Sequence, residues 1–519
     1  MANPPPKPLL IFDGDCHFCR HWVERWREMT AGAVEYASSQ EVGAGYPEIP
    51  AEEFQRSVQF IETDGAVYRG AEAVFRSLRS VGGARLLIWL YEHVPGFAFV
   101  TETAYALVAR HRTFASTMTR LLWGNDVRRP NYFAARRGFL KTVGLVYLVA
   151  FISVWVQVDG LMGQRGILPA GEILSAIRAG AASAPIWQSP TLCWWSASDA
   201  MLHGLCAIGT LAGALLALGF LPVPALVICF VCYLSLIVPG EFFFSYQWDI
   251  LLLETGFVAL LLAPWQWRLR RGHDARVSRI GLFLAKALLF KLMFMSGVVK
   301  LTSGDATWWN LTALDYHYWT QPLPTVFAWF ANLHPEWLKQ ACVAIALFIE
   351  IAVPFLIWAP RRLRVAAAWL LIALQFAIAL TGNYCFFNLL AIALCLLLFD
   401  DANWAPRRAR ELPGSRRGWP VWIPLAALIV TLPLNLWLCY TALRPEAEMP
   451  STLAAINQRV EPFRIASCDV LFRVMTKARP EIIFEGSADA FDWHPYEFKW
   501  KPGDVRRAPR WNAPHQPRL

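Results

Sequence analysis

The sequence predicts an α-helical multi-span membrane protein with an N-terminal α/β thioredoxin-like domain and a small C-terminal β-rich domain. Three observations predict it. A Cys-x-x-Cys pair follows a short apolar run near the N-terminus. Nine apolar stretches follow from Phe139 onward. The remaining segment, 441–519, is polar and alternates in places. The chain is 56% hydrophobic and 17% charged, against about 45–50% and about 25% in soluble domains. A bilayer is therefore the expected main solvent. The net charge of +9 is spread over short segments between apolar stretches. This is a topology signal and excludes a nucleic-acid partner. The opening residues Met1–Lys7 are not a signal peptide, because Asp13 and Asp15 arrive before a sufficient apolar run.

The first unit spans 1–125. Leu9-Leu10-Ile11-Phe12 reads as a strand, and a helix runs from Cys16 to about Met29. Val34–Ala37 reads as a second strand. Val58–Glu62 and Val67-Tyr68 flank Asp64-Gly65 as a hairpin. Helical patterns follow at 71–79, 86–93 and 101–112. Cys16 at a helix N-terminus is placed to hold a thiolate, and Cys19 one turn on is placed to resolve what Cys16 attacks. Asp13 and Asp15 are candidates for moving protons to and from the thiols, with Asp15 the expected helix cap. The competing reading is a structural metal. Zinc needs four ligands, and no second Cys pair exists in the module; His17, His21 and His93 are the other candidate ligands, and the redox reading is preferred, so no metal or other cofactor is expected.

The membrane region spans 126–440. Its apolar stretches lie near 139–158, 200–220, 222–238, 247–264, 280–299, 338–358, 365–380, 385–399 and 420–440, about nine helices. Arg128, Arg129, Arg136, Arg137 and Lys141 surround the entry to the first. Arg268, Arg270, Arg271, Arg276 and Arg279 separate the fourth and fifth. Arg361, Arg362 and Arg364 separate the sixth and seventh. Arg407, Arg408, Arg410, Arg416 and Arg417 separate the eighth and ninth. Nine spans put all four clusters on one side, which the positive-inside rule makes cytoplasmic. The N-terminus is then cytoplasmic and the segment 441–519 extracytoplasmic, where its alternation at Glu481–Glu485 and Tyr496–Trp500 predicts a β-rich domain.

Asp249, Glu254, Lys291 and Lys300 are intramembrane polar residues and need partners. Asp249 and Lys300 lie near the far-side ends of the fourth and fifth stretches, and Glu254 and Lys291 near their middles. Matching depths predict pairing between those two helices. Lys286 and Glu350 carry the same cost. The far-side segment 301–337 carries Trp308, Trp309, Tyr316 and Trp319. They form either an aromatic belt at the membrane interface or a surface that binds a client. Cys229 and Cys232 sit inside an apolar run and read as packing residues. Cys468 has no neighbour in sequence to pair with.

The stretch Phe12-Asp13-Gly14-Asp15-Cys16-His17-Phe18-Cys19, with Tyr68-Arg69-Gly70-Ala71-Glu72-Ala73, resembles the DCC family of thiol–disulfide oxidoreductases. No proline precedes the Val58 strand, where Gln55-Arg56-Ser57 stands instead; thioredoxins place their substrate-facing proline there. From about Asn131 the chain resembles the lipase maturation factor family. The resembling stretches are Gly163–Pro169, Gln247–Gly256, Thr381–Asn388, Arg479–Ser487 and Pro514–Leu519. The resemblance implies a membrane protein that assists folding or assembly of exported clients, lipases or others. The DCC unit implies a cytoplasmic thiol reductant as a further partner. The fusion implies a bacterial inner-membrane protein, or an endoplasmic-reticulum one in a eukaryote. Two enzymatic alternatives stand beside this. One is thiol–disulfide exchange at Cys16 and Cys19 as the main activity. The other is an intramembrane enzyme similar to the vitamin-K-dependent carboxylases, with Lys300 as general base before Trp308-Trp309.

Overall fold

The computed structural model describes residues 2–81, 84–180, 186–270, 275–404, 418–468, 472–501, 503–504 and 506–518. Arg271 and the basic run Arg407, Arg408, Arg410, Arg416 and Arg417 lie outside the described residues. The chain divides into two compact units. One is 1–130 with 360–363; the other is 131–359 with 364–519.

The first unit is built on a four-stranded sheet of order β2-β1-β3-β4. β1 (Leu9–Phe12) pairs parallel to β2 (Glu35–Ser38) and antiparallel to β3 (Gln59–Ile61), which forms a hairpin with β4 (Val67–Arg69). The parallel pair needs a crossover, and α1 (His17–Thr30) supplies it. Strand alternation covers both faces. Leu10, Phe12, Tyr36 and Phe60 pack with Val23 and Ala73 on one face. Leu9, Ile11 and Ile61 pack with Phe54 on the other. Gly65 turns the hairpin at φ +84°, where a Cβ would lie 2.4 Å from the Ala2 carbonyl oxygen. Helices follow at Gly70–Ser77, Ala84–His93 and Phe97–Arg110. A further helix, Arg112–Trp123, is missing from the sequence reading and places Arg112 at its first position.

From Asn131 onward six described helices are long and apolar enough to cross a membrane: Phe133–Trp155, Asp199–Leu218, Arg279–Thr302, Glu336–Trp358, Arg361–Thr381 and Trp422–Leu443. The other three apolar stretches form shorter helices, Pro222–Ile237, Gln247–Leu262 and Phe387–Cys395. The first two long helices pack through glycines. A Cβ on Gly144 would lie 2.4 Å from Ala217 N, and one on Gly213 would lie 2.7 Å from Leu148 N. Small residues permit this backbone approach where water cannot drive helices together.

Among the described residues, the segment after the last long helix holds the sheet its alternation predicts but is not all strand. It carries a helix, Ser451–Val460, and one two-stranded sheet pairing β5 (Phe484–Gly486) with β6 (His494–Tyr496). Nor is it polar and solvated throughout. Asn512, Gln516 and Arg518 are buried and hold the chain against the apolar helices of the same unit.

Candidate functional site

The N-terminal site begins with a loop held from outside itself. Gly14 N–H donates to Gln40 Oε1 at 2.9 Å, and Gln40 Nε2 donates to the carboxylates of Asp13 and Asp15 at 3.2 Å each. A Cβ on Gly14 would lie 2.7 Å from Gln40 Oε1 and 2.8 Å from Ser38 Cβ, so glycine is required by space. Asp13 also accepts from Arg112 Nη1 at 3.1 Å. The expected cap, Asp15, lies one residue too early. The helix starts at His17, and Cys16 is the cap, its sulfur accepting from Cys19 N–H at 3.4 Å. A cap accepts what the first helical turn leaves unbonded, so the sulfur sits where a thiolate is stabilised.

Hydrogen bonding from the Cys19 side chain holds the Cys16 thiol down at about 6. Burial opposes it, and the Cys19 N–H and the Arg112 guanidinium assist. The same bond, burial and the Cys16 charge push the Cys19 thiol far up. The two sulfurs are thus differentiated as nucleophile and reserve. A surface cleft of about 720 Å³ opens beside Cys16, lined by Asp13, Asp15, His17, Arg112 and Arg120 among others. The backbone edge before β3 is already occupied. Val58 N–H donates to the Tyr105 hydroxyl at 2.9 Å, and the carbonyls of Gln55 and Arg56 accept from Arg112 at 2.5 and 3.1 Å. These backbone groups, on the turn that leads into β3, are therefore not free to pair with an extended substrate. Gln40, Tyr105 and Arg112 are the residues that sequence reasoning misses here. They reach the site from elements distant in the chain and leave no local pattern.

In the membrane unit the depth argument holds for one pair. Lys291 Nζ lies 2.6 Å from Glu254 Oε1, and also donates to Asn435 Oδ1 at 2.5 Å and to the Ser467 carbonyl at 2.6 Å. Asp249 and Lys300 do not meet. Lys300 is held by both oxygens of Glu350, with its ammonium 5.2 Å from the Trp308 ring centre. A general base needs a lone pair directed at a substrate; this amine is directed at a carboxylate, which counts against the carboxylase-like alternative. Lys286 donates to the Tyr132 hydroxyl at 3.2 Å.

Asp249 instead meets Arg518. Their two bonds measure 2.8 and 2.9 Å, both side chains are fully buried, and Arg518 also donates to the Phe243 carbonyl at 2.7 Å. The Tyr233 hydroxyl donates to the same carboxylate. This planar bidentate geometry is what guanidinium offers and ammonium does not. Neighbouring tail residues are fixed as closely. Gln516 N–H donates to Ser153 Oγ at 2.9 Å, and Gln157 Nε2 donates to the Gln516 carbonyl at 2.7 Å. Asn383 Oδ1 accepts from the backbone N–H of Asn512 and of Ala513, at 3.1 and 3.0 Å. Stretches far apart in sequence, around Asp249, Asn383 and Arg518, form one packed node.

That node joins two regions with separate family matches. The lipase maturation factor transmembrane domain matches residues 134–406, more than half of the chain. This chain belongs to the lipase maturation factor family. The family's C-terminal domain matches 466–519, and a DCC1-like thiol-disulfide oxidoreductase domain matches 10–117. Lipase maturation factor 2 of Rattus norvegicus is 34% identical over 502 residues, covering 73% of this chain and 70% of that protein. The Homo sapiens protein of that name is 34% identical over 503 residues, covering 74% and 70%. Lipase maturation factor 1 of Bos taurus is 30% identical over 427 residues, covering 76% and 75%. No solved structure matches. The protein is thus a multi-pass membrane member of the family with a DCC1-like thiol–disulfide domain.

The candidate client-binding aromatics separate. Trp308 is buried with Ala313, Val343, Leu347 and Met475, so it is core and not surface. Trp309 and Trp319 are exposed, at 64% and 43%, and Tyr316 is half-buried. Cys229 and Cys232 are buried among apolar side chains. Among the described residues no group of three or more His, Cys, Asp or Glu is arranged to hold a metal ion.

Proposed function

We propose that this protein assists folding or assembly of exported client proteins, lipases first among them, from a cell membrane. Its N-terminal unit exchanges thiols and disulfides through Cys16 and Cys19. The observation that carries the membrane half is the node at Asp249, Asn383 and Arg518. It locks the lipase maturation factor transmembrane domain to the C-terminal domain of the same family, and so preserves both family regions as one folded body. The family relation supplies the client class.

For the N-terminal unit, the chemistry follows from the sulfurs. The Cys16 thiolate attacks a disulfide, forming a Cys16 mixed disulfide and releasing one thiolate. Cys19 then attacks the Cys16 sulfur, its proton passing to a released thiolate, and the second thiol leaves. A thiol reductant returns the pair to the dithiol. The Arg clusters favour a cytoplasmic N-terminus and an extracytoplasmic C-terminus over nine spans, in a bacterial inner membrane. The two functions then face opposite compartments.

The test is co-expression of the chain with an exported lipase in a host lacking it. Secreted lipase activity per lipase molecule should rise with the intact chain. No change with any exported lipase would sink the client assignment. Phosphatase and fluorescent-protein fusions at residue 2 and after Leu443 report the sides.

A further inference from the structure

Cys439 and Cys468 meet across the second unit. Cys439 lies in the last turns of helix Trp422–Leu443, and Cys468 lies 29 residues on, yet Cys468 Sγ donates to Cys439 Sγ at 3.3 Å. Both are half-buried, so neither is sealed from a reagent. The approach is built by neighbours. The residue before Cys468 is held twice: the Ser467 carbonyl accepts from Lys291 at 2.6 Å, and Ser467 Oγ donates to Glu254 Oε2 at 3.1 Å. The other side is held too, because Asn435, one turn before Cys439, accepts from the same Lys291. One buried ion pair thus holds the Ser467 backbone on one side of the two sulfurs and the Asn435 side chain on the other. Two cavities adjoin it. A water-sized one of about 20 Å³ is lined by Glu254, Lys291, Ser467 and Cys468. A larger one of about 450 Å³ is lined by Phe257, Phe290, Lys291, Leu436, Cys439 and Ile465, among others.

We propose that Cys439 and Cys468 form a second disulfide-exchanging pair, one that staples the C-terminal domain to the last long helix, with Glu254 and Lys291 as positioning residues. The oxidant is a disulfide, either a small thiol's dimer or a protein disulfide. One sulfur loses its proton and attacks the oxidant, giving a mixed disulfide and one released thiolate. The other sulfur attacks the protein-bound sulfur, giving the Cys439–Cys468 bond, and the second thiol leaves. Two protein thiols are oxidised and one disulfide is reduced to two thiols. In the reduced state the tail is held there by noncovalent contacts, polar and apolar. In the oxidised state the segment 465–468, whose Ile465 lines the larger cavity, is covalently fixed.

The test uses the full chain in membranes with Cys16→Ser and Cys19→Ser in place, so that failure of the first pair's chemistry cannot mask or mimic the result. Glutathione disulfide is the probe, and peptide mapping by mass spectrometry after acid trapping is the readout. The expected product is a peptide pair linked Cys439 to Cys468, lost on reduction. Cys439→Ser or Cys468→Ser alone should leave a mixed disulfide with glutathione that persists. Glu254→Gln should slow closure while the protein still elutes as one folded species, because a lost positioning contact misplaces the sulfurs. Two separately glutathionylated cysteines in the parent, or two that stay reduced, would overturn the proposal. So would equal closure rates in the parent and in Glu254→Gln, as regards the positioning role.

Discussion

The two units place charge and sulfur under opposite rules. In the N-terminal unit the reactive groups are half-exposed, and the polar partners are there to differentiate them: Gln40 and Arg112 hold the Asp13-Gly14-Asp15 loop while Cys19 lowers Cys16. In the membrane unit three ion pairs are buried, and the partners hold segments together. Arg518 meets Asp249, Lys300 meets Glu350, and Lys291 meets Glu254. The same residue types tune reactivity where water reaches them and set assembly where it does not. Removing a partner should therefore change a titration in one unit and the folded population in the other.

The largest expected effect is at the tail node. Asp249→Ala leaves the Arg518 guanidinium buried without its carboxylate, and breaking a buried pair on one side costs roughly 3–5 kcal/mol. The solubilised protein should lose its folded peak in size-exclusion chromatography or melt far lower. The double change Asp249→Leu with Arg518→Met should recover much of that loss, because no orphan charge remains. A harmless Asp249→Ala would break the contrast between the units.

Next comes the aromatic loop. Trp308→Ala removes a buried ring, a change that costs about 3–5 kcal/mol in a packed core. Trp309→Ala changes an exposed one, for which effects within about 0.5 kcal/mol are usual. The thermal melt of each single variant tells them apart. If Trp309→Ala keeps its melting temperature and still lowers client maturation, the exposed part of this loop is a client surface. If maturation is also unchanged, the loop serves the membrane interface.

Much of this contrast is legible in the sequence, and unevenly. The motif around Cys16 is local: an apolar strand, a turn and a helix start declare the chemistry within eight residues. Its supports, Gln40 and Arg112, come from elements distant in the chain, and no spacing rule brings them to Asp13. Pairing by depth finds Glu254 with Lys291, because they lie at matching depths on neighbouring helices. It fails for Asp249 because depth reasoning leaves a polar tail in water. Arg518 returns into the apolar unit because a guanidinium bonded through both terminal nitrogens to a carboxylate tolerates burial. Trp308 fails for a related reason: a tryptophan in a loop reads as surface until Val343 and Leu347 are known to pack on it.

The third effect is a titration. The folded value of Cys16 lies below its ordinary one of about 8.5, so the thiolate stabilises the folded N-terminal unit. The sign follows: this contribution is fully present above the ordinary value and is lost as pH falls through about 6. Alkylation of Cys16 against pH should inflect near 6. Cys19→Ala should move that inflection strongly upward, since the Cys19 side chain is the first cause of the shift.

The smallest effect, and the one that best probes the loop, is Arg112→Gln. The guanidinium lowers the Cys16 thiol, and its ion pair at 3.1 Å offsets Asp13, whose charge raises it. Its loss removes the first influence and unmasks the second, so both move the inflection up. The move should be smaller than for Cys19→Ala, because a coulombic contribution across a cleft is screened by solvent and a direct hydrogen bond is not. Raising the salt concentration should shrink the difference between Arg112→Gln and the parent while leaving the Cys19→Ala difference in place. If salt has no effect on either, Arg112 acts through the carbonyls of Gln55 and Arg56 instead, by holding the turn before β3. Arg112→Lys separates the two: it keeps the charge near Asp13 but lacks the fork that reaches the carbonyls as well. Full retention of the low inflection in Arg112→Lys assigns the effect to charge, and its loss assigns it to geometry.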